Sequence, residues 1–109
     1  MISYVGLVVL ICAVAINADP QCVVASSGII TGLVHYNLDP VYLQPNIADY
    51  KVNIPHVPQC TNGEAGVKAI ICDDDVAPTG SFVDFNTLLV HRLGNLQNVG
   101  TVLITVYCN

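Results

Sequence analysis

The chain has 109 residues, 53% of them apolar and only 10% charged, with a formal net charge of −5. That length suits one domain, and abundant Val, Ile and Leu at low charge exclude a disordered chain. Three Lys and Arg against eight Asp and Glu exclude the phosphate neutralisation that nucleic-acid binding needs. They also exclude the cationic face of a membrane-lytic helix.

The first elements in chain order are targeting signals. Residues 1–18 carry no charged side chain and are apolar from Val5 to Val14, ending on the small residues Ala13, Ala15 and Ala18. The apolar run is shorter than the roughly 20 residues a membrane span needs and has the length of a secretory h-region. We read 1–18 as a signal peptide with cleavage after Ala18, a cut after Ala15 being the alternative, and 19–109 as one secreted domain with no membrane association after removal of the signal. Of five cysteines, Cys12 falls in the segment to be removed, which leaves Cys22, Cys60, Cys72 and Cys108. An even set in so small an exported domain forms disulfides. The Cys-x-x-Cys pairs or neighbouring His ligands of a zinc site are missing. No Asn-x-Ser/Thr acceptor for N-glycosylation occurs either.

The domain itself reads as short strands. Residues 22–25 begin a first strand that Ser26-Ser27-Gly28 ends, and residues 29–36 form a second, with Gly32 marking a bulge. A short extended piece at 41–43 lies between Asp39-Pro40 and Gln44-Pro45-Asn46, and residues 47–50 suit one helical turn. Residues 50–54 alternate, Val52 and Ile54 inward and Lys51 and Asn53 outward, until Pro55 stops them. Pro55 and Pro58 keep the stretch to Cys60 extended. Residues 67–72 are apolar and follow a turn cluster at 61–66. Residues 87–93, the glycine-bounded loop 94–100 and the β-branched run 101–108 read as a terminal hairpin. In the last run Val102, Ile104 and Val106 share one face.

The expectation is therefore an all-β fold: a small, disulfide-stapled antiparallel β-sandwich or barrel of about six or seven short strands. If 67–72, 87–93 and 101–108 run up, down and up, Cys72 and Cys108 share an end, as a bond with Cα atoms within about 7 Å requires. This favours Cys72–Cys108 with Cys22–Cys60, although three pairings are formally open. Each bridge contributes about 3–4 kcal/mol by chain entropy.

Candidate functional residues are few. Asp73, Asp74 and Asp75, with Asp84, form an acidic cluster that is a calcium candidate. The spacing of an EF-hand is absent, and a solvated acidic loop is the simpler reading. His35, His56 and His91 lack the nucleophile and orienting carboxylate that catalysis needs. His91 alternates with Leu89 and Leu93 and is expected on a half-buried face. Tyr42 and Tyr50 near Pro40 and Pro45 suit a binding surface, as do the loops 77–81 and 94–100. No motif for a catalytic centre, a cofactor or a metal stands out.

Residues 67–75 and 102–107 resemble the multiprotein bridging factor 2 family of insects. Those chains have similar size, an Ile-x-x-Ile-x-x-x-Asp stretch and a terminal strand ending in Ile/Val-Tyr. Where that family carries a Gly-Gly-x-Gly loop, Pro78-Thr-Gly-Ser81 stands here, and no function is taken from the resemblance. The residues themselves point to a non-enzymatic extracellular binding protein for a protein or small ligand. The alternative is a secreted inhibitor or toxin-like effector of an enzyme or channel, with the proline-stiffened segment 55–60 as its reactive loop.

Overall fold

The computed structural model describes residues 20–31 and 34–109. The expected signal peptide, Cys12 and the Gly32 bulge lie outside the described residues. The strands are β1 (Gln21–Gly28), β2 (His35–Asn37), β3 (Val41–Leu43), β4 (Asp49–Asn53), β5 (Glu64–Asp73), β6 (Thr79–Asp84), β7 (Thr87–His91) and β8 (Gly100–Cys108). They form two antiparallel sheets, as a sandwich requires. The larger has the order β1-β5-β8-β2, with β3 also on β8, and the smaller has the order β4-β7-β6. The all-β expectation holds, with eight strands rather than six or seven.

Alternation sets the core. Val67, Ala69 and Ile71 of β5, and Val102, Ile104 and Val106 of β8, are buried from the larger sheet. Val52 of β4 with the adjoining Ile54, and Leu88 and Val90 of β7, are buried from the smaller. Each Val, Leu or Ile among them, fully buried, stabilises the fold by about 1.5–3 kcal/mol before entropy is counted. Gly80 of β6 sits where a Cβ would fall 2.2 Å from Ile71 Cδ1, so its bare backbone lets the two sheets close. Gly28 ends β1 at φ 77°, a conformation that L side chains rarely adopt.

Several expectations about the strands and turns need correction. Residues 87–93 and 101–108 are not a hairpin: β7 pairs with β4 and β6, whereas β8 pairs with β5. The loop 94–100 therefore crosses from one sheet to the other. Of the described residues between 29 and 36, only His35 and Tyr36 lie in a strand, β2, and 47–50 make no helical turn. The turn there lies at Pro45 and Asn46, with Asn46 at φ 68°. Residues 79–81 belong to β6, because the ladder to β7 satisfies their backbone while Phe82 packs on the core.

The disulfides are Cys22–Cys72 and Cys60–Cys108, not the favoured Cys22–Cys60 and Cys72–Cys108. The up-down-up assumption failed because β5 and β8 are direct antiparallel neighbours. Cys108 lies opposite Glu64, and Cys72 lies opposite Thr101. Seven residues of β8 separate Thr101 from Cys108, so at about 3.4 Å per residue Cys72 and Cys108 lie roughly 24 Å apart, far beyond bonding reach. Cys22 instead faces Cys72 directly across the β1–β5 ladder.

Among the described residues two charged side chains, Arg92 and Asp73, lie deep in the structure. Arg92, just beyond β7, is 2% exposed, and Asp73, the last residue of β5, is 3% exposed. Arg92 Nε and Nη2 donate to the Asp73 carboxylate, both at 2.9 Å. Nη1 donates to the Gln44 and Ile47 carbonyls at 2.8 and 3.3 Å, and Nη2 also donates to the Asn98 carbonyl at 2.5 Å. All five guanidinium N–H groups are thus used. Asp73 holds the Arg92 pKa above the ordinary arginine value, against the opposing effect of burial. Removing one partner of such a pair strands a buried charge. Arg92→Ala is expected to lower the free energy of unfolding by about 3–5 kcal/mol in urea titration, with Asp73→Ala similar. A loss below about 1 kcal/mol, the scale of an exposed ion pair, would contradict the burial.

Candidate functional site

The outward face of the smaller sheet is a grid of side chains from three strands. Cross-strand pairing places Thr79, His91 and Asp49 in one row, and Ser81, Leu89 and Lys51 in the next. Leu88, Val90 and Arg92 point inward, so the alternate residues Leu89, His91 and Leu93 face solvent, 42%, 50% and 52% exposed by residue or side chain. The expected half-buried setting of His91 is therefore replaced by an open one.

Asp49, Tyr50, Thr79, Gly80, Ser81, Leu89, Val90 and His91 line a shallow hollow of about 280 Å³. Within it, His91 Nδ1 lies 2.6 Å from Asp49 Oδ1. A carboxylate can only accept, so Nδ1 carries the hydrogen, and in the neutral form of the ring this tautomer leaves Nε2 as an acceptor. Nε2 has no partner among the described residues. The hollow thus offers the Nε2 lone pair, the second oxygen of Asp49 and the hydroxyls of Thr79 and Ser81 around the apolar Leu89. Composition carried no hint of this grouping, since its members are 42 residues apart in the case of Asp49 and His91. Only the register of three strands brings them together.

The other candidates are dispersed. His35 lies against Tyr107, ring centroids 5.5 Å apart, on the larger sheet. His56 is in the loop after β4, its side chain 86% exposed and its Nδ1 3.5 Å from Glu64 Oε1. In the segment 55–60, Pro55, His56, Pro58 and Gln59 are exposed, and two buried residues anchor it to the body. Val57 is buried in the core, its amide donates to Glu64 Oε1 at 3.1 Å, and Cys60 is bonded to Cys108. A second hollow of about 360 Å³ lies beside it, lined by His56, Val57, Pro58, Glu64 and Phe85 among others. Tyr50 does not join Tyr42 in a surface: its hydroxyl accepts from the Gln44 amide and donates to the Gln44 carbonyl, while Tyr42 stands 56% exposed on β3.

The acidic run is engaged with the protein itself. Asp73 meets Arg92, Asp74 accepts from the Asn98 side-chain amide, and Asp75 Oδ2 accepts from the Asn95 amide at 2.8 Å. Asp84 Oδ1 accepts from the Asn86 amide at 2.8 Å. Among the described residues no group of three or more His, Cys, Asp or Glu gathers as a metal site would need. The loop 94–100 is likewise tied down, by Asp74, Asp75 and an Asn46 amide to Leu96 carbonyl bond of 2.7 Å.

No protein-family model, curated protein or solved structure matches the chain.

The Asn95 amide, seconded by the Val76 amide, holds the Asp75 carboxyl below the ordinary aspartate value despite the opposing effect of desolvation. A carboxyl depressed on folding stabilises the fold above its unfolded pKa of about 3.9, and that contribution disappears as pH falls through the folded value. The Asn95 and Val76 amide resonances are therefore expected to titrate together below about pH 3.9 in NMR, with the 94–98 segment losing protection there. A midpoint at or above the ordinary value would contradict the hydrogen bonds.

Proposed function

We propose that the protein is a secreted, non-enzymatic extracellular binding protein that takes a small hydroxyl- or amine-bearing ligand on the outer face of the smaller sheet. The observation that carries this reading is the Asp49–His91 couple, set with two hydroxyls around an apolar centre in a concave site. Such a mixture of a few convergent polar groups with an apolar contact is what small-ligand sites use. The acceptors outnumber the obligate donors, and the chain carries a net charge of −5, so ligands rich in donors or positively charged are favoured over anions.

Several features support binding rather than turnover. The side chains of Asp49 and His91 are 78% and 50% exposed, so water screens the couple. Acid–base catalysis gains most where water is excluded. The central strand β7 has both sides of its backbone engaged in the ladders to β4 and β6, so Leu89 and His91 supply no pair of free N–H groups for an oxyanion. The inhibitor reading has less support, because Val57 draws the 55–60 segment against the body. Export accords with two disulfides in so small a domain.

The test is NMR titration of the ¹⁵N-labelled domain with a panel of monosaccharides, polyols and biogenic amines at millimolar concentration. Binders are expected to shift the amides of Asp49, Thr79, Ser81, Leu89 and His91. Asp49→Asn and His91→Ala are each expected to weaken binding about tenfold, the loss of one charge-assisted hydrogen bond of about 1.5 kcal/mol. Shifts confined to another face, or a substrate turned over by the protein and spared in His91→Ala, would contradict the reading.

A further inference from the structure

The two disulfides occupy different environments. Cys60 and Cys108 are 9% and 5% exposed and belong to the core cluster. Cys22 is exposed and Cys72 half-buried. On β5, Val67, Ala69, Ile71 and Asp73 face inward, so Cys72 projects from the outer face of the larger sheet, with Cys22 opposite on its edge strand. The sulfurs therefore lie on a solvent-facing surface, at the end of a ladder whose far side is open.

We propose that Cys22–Cys72 is a thiol–disulfide exchange site that opens and re-forms while the domain stays folded, with Cys60–Cys108 as the permanent staple. Exposed disulfides are the ones a thiol can reach, and access limits exchange. A reagent thiolate attacks Cys22 Sγ, the more exposed sulfur, forming a mixed disulfide and expelling the Cys72 thiolate. A second reagent thiol then attacks the sulfur that the reagent contributed and expels the Cys22 thiolate. The reagent leaves as its own disulfide. The two electrons have passed to the protein, and the two thiol protons end on Cys22 and Cys72.

The fold explains why the opening is local. The β1–β5 register has eight paired positions, of which the bridge spans one. Ala25 is buried and Val23 packs on the core, so β1 remains docked when the bond is cut. The ladder then holds the two thiols opposite each other, with Cα atoms 4.1 Å apart in the bonded form, ready to re-form the bond. Cys60, by contrast, ties the segment between β4 and β5 to the last residue of β8, beneath side chains that exclude a reagent.

The experiment exposes the oxidised protein at pH 8 to 2-mercaptoethanol, quenches samples with iodoacetamide, and follows each cysteine by peptide mass spectrometry. Cys22 and Cys72 are expected to be labelled at least tenfold faster than Cys60 and Cys108. The far-ultraviolet circular dichroism should be unchanged in the singly reduced form, and removal of the thiol under air should restore the bond. A ratio below tenfold, the opposite order, or loss of the strand signal as Cys22–Cys72 opens would overturn the proposal. The Cys22→Ser/Cys72→Ser double variant provides a separate readout. It is expected to fold with Cys60–Cys108 formed, and failure to fold would equally overturn the assignment.

Discussion

The ion pair between Arg92 and Asp73 is the constraint on which the rest of the arrangement turns. It joins the end of β7 in the smaller sheet to the end of β5 in the larger, and the same guanidinium holds the carbonyls of Gln44, Ile47 and Asn98. Two connecting segments, β3–β4 and β7–β8, thus converge with the end of β5 on one cation. A buried charge is tolerated only when fully paired, and here every donor has an acceptor. The group acts chiefly as a device of register: a one-residue slip of β7 would expose Arg92 and bury His91. The Arg92 amide continues the same alignment by donating to the Ala48 carbonyl at 2.8 Å.

From that register the outer surface follows. With Leu88, Val90 and Arg92 committed inward, Leu89 and His91 face outward, between Asp49 and Lys51 on one side and Thr79 and Ser81 on the other. The candidate site is thus a consequence of how the core is satisfied, with no strand or loop built separately for it. The larger sheet presents a different outer face. There Val24, Ile70 and Leu103 form an apolar row beside the exposed disulfide, so the two sides of the sandwich differ in chemistry.

Much of the fold was legible in the residues. The alternation of 101–108 and 50–54 identifies β8 and β4 together with the residues that share a face, because burial on one side imposes a period of two, while the apolar run 67–72 marks β5 without telling its two faces apart. What could not be read was long-range pairing. Nothing local distinguishes a hairpin between 87–93 and 101–108 from a crossover between sheets, and the disulfide preference inherited that ambiguity. Strand β6 was hidden because Thr79, Gly80 and Ser81 have turn chemistry, yet Gly80 is required there by the approach of Ile71. Arg92 gave no signal beyond its charge, and Asp73 was legible as part of an acidic run but not as its inward-pointing member. The site was the least visible part. Asp49, Thr79, Ser81 and His91 become neighbours only through two ladders that the linear order does not announce.

The central claim is that Arg92 is locked inside the domain with all its hydrogens engaged, and solvent exchange of its Nε–H reports this most directly. NMR of the ¹⁵N-labelled protein at pH 8 should show a sharp Arg92 Nε–H resonance that is shifted from that of free arginine and exchanges with water far more slowly. An Arg92 Nε–H exchanging as fast as that of the free amino acid would show an accessible guanidinium, and the register of β7 would need another explanation.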